Sequence, residues 1–252
     1  MDNTGAIILP EELDAHPIAQ QFSAYWVDQN TASKAMNLIH FGYEQFHRAR
    51  LISELDILRT IHEHGFRLEF QQKAVEIGLE GVVDAIRICI CFENYMKATL
   101  LAKGYFVHEL DKGFTGLKQL AKEQAHRPLT LVDVRRESGG WQRNPDGLCF
   151  LKGVRKNTLK MSSMLRVGYQ EVIGLPTNVA DFVGGLNEKR NHLHFYLSDG
   201  FTISKQIVQS LEELIVFVNG PMVNMHNSLI ENYDLPRRFL IDSGKAPATA
   251  SL

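Results

Sequence analysis

The chain has 252 residues, 44% of them hydrophobic, so it is long and apolar enough to form a proper core in one large domain or two small ones. Its 27 Lys and Arg against 29 Asp and Glu give a formal net charge of -2, which excludes both an overall basic field that attracts nucleic acid and the extreme acidity of acidic tails. The three cysteines, Cys89, Cys91 and Cys149, form neither a disulfide framework nor a zinc knuckle, and this favours a reducing compartment.

Targeting signals and membrane spans are not indicated by the sequence. Residues 1–13 carry acidic groups and only the short apolar run Ile7–Leu9, which is too brief for a signal peptide. No uncharged apolar stretch reaches about 18 residues, the length that a membrane span needs. We therefore expect a soluble cytoplasmic protein with no membrane partner, a flexible segment over 1–21 and a mobile tail over 234–252.

The first predicted elements are helices. Apolar residues at helical spacing predict one helix from Phe22 to about Ile61 and another from Phe70 to Leu101, with Gly104 as the C-terminal stop of the second. A shorter helix is predicted between Asp111 and Ala125. The segment 127–163 then carries many turn-forming residues, and we interpret it as an irregular basic insertion with room for one β-hairpin.

Helical spacing returns after this insertion. It predicts helices from Met164 to Ile173 and from Thr177 to Leu197, the latter broken or bent at Gly184-Gly185. A last helix is predicted from Ile203 towards Asn232, with a kink at Pro221.

Together these elements predict an all-α fold, an antiparallel bundle of about four long helices. The bundle domain is expected to span residues 22–233 and to contain the irregular insertion at 127–163. No internal repeat and no long heptad run is present in the sequence.

A charged residue interrupts the apolar stripe of the helix predicted over Thr177 to Leu197. At about 100° per residue, Arg190 points in the same direction as the apolar side chains, and His194 lies at the edge of the stripe one turn further on. The apolar side chains are Val179, Phe182, Val183, Leu186, Leu193 and Leu197. A charge removed from water is costly unless it is paired, so Arg190 is either held by a carboxylate of a neighbouring helix or lines a groove that takes an anion.

A second pair of charges lies on the helix predicted over Phe70 to Leu101. Glu93 and Lys97 are one turn apart within its apolar stripe. A buried carboxylate on one helix and a buried guanidinium on another are natural partners, which makes Glu93 the candidate partner of Arg190. The opposite face of this helix is also apolar, so the orientation of the helix stays open. That face carries Ile88, Cys91, Phe92 and Tyr95.

Positive charge is concentrated in and around the insertion. From Arg127 to Arg166 there are nine Lys and Arg against three Asp and Glu. With Trp141 and Phe150 interleaved, such a segment is able to follow an RNA backbone and stack a base, and the alternative is a solvated surface loop. The candidate RNA-binding residues are Arg135, Arg136, Arg143, Lys152, Arg155 and Lys156.

Other kinds of site find little support. His62 and His64, like His192 and His194, are two residues apart and point about 200° from each other on a helix, so neither pair readily chelates one metal ion. The sequence shows no readable setting for a nucleophilic serine or cysteine and no phosphate-binding glycine loop. We therefore expect no metal and no cofactor.

Two short runs resemble the HEPN helical domains: Cys91 to Lys97, and Arg190-Asn191 followed closely by His194. That family is a bundle of four or five helices, and many members are metal-independent RNases of toxin–antitoxin, CRISPR-linked and phage-defence systems. Catalytic members have four to six residues between the Arg and the His, whereas this chain has three.

The resemblance implies a metal-independent endoribonuclease, or an RNA-binding relative, of a bacterial toxin–antitoxin or defence system. Arg190 would correspond to the phosphate-facing Arg, Asn191 to the polar residue beside it and His194 to the catalytic His. Glu93 would correspond to the acidic residue that orients the Arg. Arg grips a phosphate through two parallel hydrogen bonds, and His titrates close enough to neutrality to move a proton.

The resemblance also implies a homodimer, with RNA or an antitoxin as further partners. The alternative is a non-catalytic helical interaction module. In that case Glu93, Lys97 and Arg190 form a buried polar network that fixes the register of the helices.

Overall fold

Most of the chain that can be described is helical. The structure is a computed structural model, and it describes residues 31–64, 68–138, 141–143, 149–191 and 204–229. Helices dominate these ranges, which confirms the mostly helical character of the predicted fold. The terminal segments 1–21 and 234–252, predicted to be flexible, lie outside the described residues. No helix within the described ranges is both long and apolar enough to cross a membrane.

The first part of the structure contains four helices in the described ranges. They are α1 (Thr31–His47), α2 (Arg50–Ser53), α3 (Leu55–His64) and α4 (Leu68–Ala102). The single helix predicted up to Ile61 is therefore interrupted, first at Ala49, whose backbone is extended (φ -74°, ψ 123°). The interruption has a long-range cause, because the Leu51 amide at the start of α2 donates to the Asp84 carboxylate of α4 at 2.9 Å.

Helix α4 ends as the sequence predicts. Gly104 adopts the left-handed conformation, with φ +80°. The Tyr105 amide donates to the Leu100 carbonyl at 2.8 Å and the Gly104 amide to the Leu101 carbonyl at 3.0 Å. These two bonds satisfy carbonyls that the end of the helix would leave unpaired, and they explain why glycine follows α4.

The segment after α4 is more regular than the sequence predicts. Its elements are β1 (His108–Leu110), a 3₁₀ turn (Thr115–Leu117), α5 (Lys118–Glu123), α6 (Leu131–Ser138), β2 (Trp141–Arg143), β3 (Cys149–Leu151) and β4 (Val154–Thr158). Strands β2 and β3 form the expected antiparallel hairpin. Strand β4 pairs antiparallel with β1, with Leu110 opposite Val154, and sequence spacing alone does not reveal this pairing.

Helix α6 was not predicted, although its start carries a recognisable signal. The Thr130 amide donates to the Asp133 carboxylate at 3.0 Å, and the Asp133 amide donates to the Thr130 hydroxyl at 3.2 Å. This reciprocal pair is a capping box, which satisfies two amides at the helix start. Hydrogen bonding by Thr130 lowers the pKa of Asp133 although partial burial opposes this shift.

The last helices follow the predicted order. They are α7 (Met161–Met164), α8 (Val167–Ile173), α9 (Thr177–Asn191) and α10 (Lys205–Phe217), followed by a π turn (Val218–Met222) and a helical segment over 223–229. The sequence predicts a break or a bend at Gly184-Gly185; the break is wrong, because α9 continues through both glycines, and the bend stays a prediction. The predicted kink at Pro221 coincides with the π turn, which accommodates a residue that has no amide hydrogen.

The buried side chains form two hydrophobic clusters. The larger one surrounds α4, against which α1, α2, α8 and α9 pack. Helix α10 joins it through Phe217, whose ring stacks on Phe92 with centroids 5.8 Å apart and meets Tyr95 edge-on. The smaller cluster fills the space between β1, α5, α6 and β4. It consists of Phe106, Leu110, Leu117, Leu120, Ala121, Leu129, Val134 and Val154.

Gln124 connects the smaller cluster to the helices. Its side chain accepts from the Leu110 amide at 3.0 Å and donates to the His108 carbonyl at 2.7 Å. Its own carbonyl accepts from the hydroxyl of Tyr169, a fully buried residue of α8, at 2.7 Å. These bonds satisfy buried polar groups of three elements, and they fix the position of the strand pair beside α8.

Candidate functional site

Arg190 lies where the apolar stripe of α9 leaves the core. Val179, Val183 and Leu186 on the same stripe are buried. The Arg190 side chain is 34% exposed, so it is neither sealed in the interior nor free in solvent. Because Arg190 is in the last turn of α9, its positive charge also complements the partial negative charge at the helix end.

The carboxylate of Glu93 on α4 is shared by two cations. Arg190 Nη1 lies 3.4 Å from Glu93 Oε2, as expected for the partner that the sequence suggests. Lys97 Nζ lies only 2.6 Å from Glu93 Oε1. The shorter contact is the stronger charge-assisted hydrogen bond, so Lys97 holds Glu93 more firmly than Arg190 does. Since one carboxylate faces two cations, the three groups together keep one positive charge.

The burial of α4 answers the question of its orientation. The face with Ile88, Cys91, Phe92 and Tyr95 is fully buried, none of these residues being more than 4% exposed. Glu93 and Lys97 lie on a half-buried face, with side chains 23% and 13% exposed. The charged pair therefore lies at the margin of the core, which lowers the desolvation cost of keeping these groups ionised.

Cys89 lies close enough to Arg190 for the two groups to interact. Burial raises the pKa of the Cys89 thiol to about 12, although the positive charge of Arg190 favours the thiolate. The thiol is therefore neutral at physiological pH and does not act as a nucleophile beside the arginine.

Two of the predicted site residues, Asn191 and His194, have side chains that lie outside the described residues. Asn191 is the last residue of α9, and its side chain lies outside what the structure describes. His194 lies entirely outside the described residues. The structure thus brings together Glu93, Lys97 and Arg190, and the roles of Asn191 and His194 stay predictions.

The candidate RNA-binding residues that can be described are exposed. Arg155 pairs with Asp111 at 3.1 Å and Arg136 with Glu137 at 2.9 Å, while Lys152 is also exposed. Hydrogen bonds from the Gly113 amide and from Arg155 lower the pKa of Asp111. Part of the positive charge of this region is therefore compensated locally. The side chains of Arg135, Arg143 and Lys156 lie outside the described residues.

Sequence reasoning missed a cleft beside the site. A cleft of about 560 Å³ separates α9 from α10, next to Lys189. Its lining also includes Asp181 and Glu213, and Asn178 donates to Glu213 at 2.6 Å. Gly185 faces open space there, a feature that the paired glycines of the sequence did not reveal. With two carboxylates against one lysine in its lining, this cleft does not favour an anion.

Metal ligation has no ready site within the described ranges, where no group of three or more His, Cys, Asp and Glu side chains is arranged to hold an ion.

Comparison with protein-family models, curated proteins and solved structures gives no match to this chain. The resemblance to HEPN domains therefore depends on the two sequence runs alone.

Proposed function

We propose that this protein is a HEPN-like, metal-independent endoribonuclease or RNA-binding protein of a bacterial toxin–antitoxin or defence system. In this proposal Arg190 binds the phosphate and His194 moves the proton. The proposal includes an antiparallel four-helix bundle built on α1, α4, α9 and α10, a homodimer, and an antitoxin or other protein as an additional partner. Asn191 supports Arg190 as its polar neighbour.

The observation that supports the proposal best is the state of Arg190. Its guanidinium touches Glu93 through one long contact of 3.4 Å, and about a third of the side chain faces solvent. A guanidinium has five N–H donors, and within the described part of the chain Glu93 is the one side chain bonded to Arg190, so most of the donors stay available to a phosphate. Lys97 already neutralises Glu93 at 2.6 Å, which leaves the charge of Arg190 for an anionic ligand.

The chemistry of this arrangement needs no metal ion. The ribose 2′-hydroxyl attacks the adjacent phosphorus, a base removes its proton, and an acid protonates the departing 5′-oxygen. The products are a 2′,3′-cyclic phosphate and a 5′-hydroxyl end. Arg190 would stabilise the charge that grows on the phosphate oxygens, and His194 would serve in one of the two proton transfers.

Incubation of the purified protein with single-stranded RNA in excess EDTA tests the metal-free chemistry. We expect cleavage to continue within about twofold of its rate without chelator, because the proposed groups supply no metal-dependent step. The new ends should be cyclic phosphates, which acid opens to 2′- and 3′-phosphates. Cleavage that stops in EDTA and returns with Mg²⁺ would contradict the proposal.

A second candidate function is favoured by the tight contact between Lys97 and Glu93. This contact is 2.6 Å long and the lysine side chain is only 13% exposed. Such a bond, extended to Arg190 on α9, fits a polar network that fixes the register of α4 and α9 in a non-catalytic interaction module. In this module the native protein would not cleave RNA, and Arg190→Ala would chiefly lower the thermal unfolding midpoint.

A further inference from the structure

A second cavity lies between α1 and the chain that follows α10. It has a volume of about 320 Å³. Ile39, Met222 and Val223 provide its apolar lining, and Ile39 and Met222 are at most 1% exposed. Its polar lining consists of His40, Tyr43, Glu44 and His226. A cavity of this size, mostly apolar with a few convergent polar groups, is suited to a small molecule.

The positions of the polar groups follow from two local features. His40, Tyr43 and Glu44 are three and four residues apart on α1, so they share one face of the helix. The π turn at Val218–Met222 changes the winding before the helical segment 223–229, and His226 of that segment lines the same cavity. Single π turns within helices frequently occur at functional sites.

The two imidazole rings are arranged for stacking. Their planes are 25° from parallel and their centroids are 6.4 Å apart. An aromatic ring placed between two others lies about 3.5 Å from each, which requires a separation of about 7 Å. His40 is exposed, so a small rotation of its side chain supplies the difference.

The lining of the cavity contains one carboxylate, that of Glu44. Glu44 contributes a carboxylate that is 48% exposed, and Arg48 occupies one of its oxygens, Oε2, at 3.2 Å. Burial, together with the neighbouring His40 ring, lowers the pKa of His226, which favours its neutral form. A neutral ring beside a carboxylate suits a ligand that donates hydrogen bonds.

We propose that this cavity binds a planar nitrogen heterocycle, stacked between His40 and His226, whose edge donates hydrogen bonds to the carboxylate of Glu44. Guanine and pterin rings share this chemistry. Each presents two neighbouring donors, a ring N–H and an exocyclic amine, and such a pair of donors matches a carboxylate. Histidine side chains are known to stack on such bases. The proposal does not depend on the role of Arg190.

Binding of guanosine and of pterin to the full chain tests this inference, with uridine as a ring that lacks the paired donors. We expect saturable binding of guanosine, pterin or both by calorimetry, and at least about tenfold weaker binding after His40→Ala or His226→Ala, since stacking contributes that much per ring. Glu44→Gln should weaken the binding of guanosine and of pterin but leave the binding of uridine unchanged. The exposed His126 gives the matched control, because His126→Ala removes a histidine away from the cavity.

The outcome is independent of the ribonuclease assay. Arg190→Ala should bind the heterocycle as the native protein does, even where it no longer cleaves RNA. Tighter binding of guanosine than of pterin, or the reverse, identifies the natural source of the ring and supports the proposal. Absence of saturable binding, equal binding of uridine, or binding that survives both histidine substitutions would overturn it. His40 and Glu44 are exposed, so their variants are expected to fold, and an unchanged thermal midpoint verifies this.

Discussion

Replacing Arg190 with alanine is expected to lower the rate of RNA cleavage by about 100-fold or more, because the removal of one donor that stabilises a developing oxyanion costs this much in comparable sites. The free energy of unfolding should change by no more than about 1 kcal/mol, since the ion pair with Glu93 is partly exposed. Lys97 continues to neutralise the carboxylate in the variant. Single-turnover cleavage and urea unfolding measure the two quantities.

Arg48 provides the matched control for this substitution. It is also an arginine paired with a glutamate, Glu44, at 3.2 Å, but its side chain is 65% exposed. Arg48→Ala should leave both cleavage and stability unchanged. If Arg190→Ala and Arg48→Ala cleave RNA equally well, Arg190 has no part in catalysis. A large loss of stability without any cleavage by the native protein would favour the interaction module.

Replacing Asp84 with alanine is expected to lower the free energy of unfolding by about 2–4 kcal/mol, because it leaves a buried amide without its acceptor. Asp84 is fully buried on α4. It accepts from the Leu51 amide at 2.9 Å and from Arg87 at 3.0 Å. Arg87 is itself 29% exposed and retains the Arg48 carbonyl as a partner. The loss of stability therefore arises mainly at α2, where the Leu51 amide loses its acceptor. Urea unfolding measures the change.

Asp56 is the control for Asp84, because it forms the same kind of pair with an arginine three residues on. Asp56 lies 2.7 Å from Arg59, but its side chain is 93% exposed. Asp56→Ala should therefore cost less than about 1 kcal/mol. Equal losses for the two variants would show that burial of Asp84 and its bond to Leu51 do not stabilise the fold.

The contribution of Asp84 also has an expected dependence on pH. Burial raises the pKa of Asp84 above its ordinary value of 3.8. A carboxyl group whose pKa is higher in the folded state stabilises the protein most below its unfolded pKa, and this contribution is lost as the pH rises through the folded pKa. The difference in unfolding free energy between native protein and Asp84→Ala should therefore shrink as the pH is raised from 4 towards neutrality.

Local patterns in the sequence predicted several elements correctly. The spacing of apolar residues located α4, and Gly104 marked its end because only a left-handed residue completes the cap. Turn residues indicated an insertion with room for one β-hairpin, and β2 and β3 pair antiparallel there. Each of these features is decided by residues that are neighbours in the chain.

Other features depend on residues that are distant in the sequence. The interruption before α2 needs Asp84, which lies 33 residues beyond Leu51. The pairing of β4 with β1 joins segments on either side of α5 and α6. The cavity at His40 and His226 depends on the packing of the two chain ends of the described region, which periodicity does not show. Such contacts arise from tertiary packing, which overrides local preference.

For the same reason, the sequence predicts only part of the candidate site. Helical spacing alone indicated that Arg190 points along an apolar stripe and that Glu93 and Lys97 share a face. It left open which face of α4 is buried, because both faces are apolar. The packing of α1 and α9 on α4 decides this, and it places Glu93 at the margin of the core beside Arg190.

The most direct test of the proposed ribonuclease is a single-turnover cleavage assay in EDTA that compares native protein with the double variant Arg190→Ala/His194→Ala, after both show the same thermal unfolding midpoint. The proposal predicts that the native protein cleaves single-stranded RNA and that the double variant falls to the uncatalysed background. Equal rates for the two proteins, or no cleavage by the native protein, would contradict it.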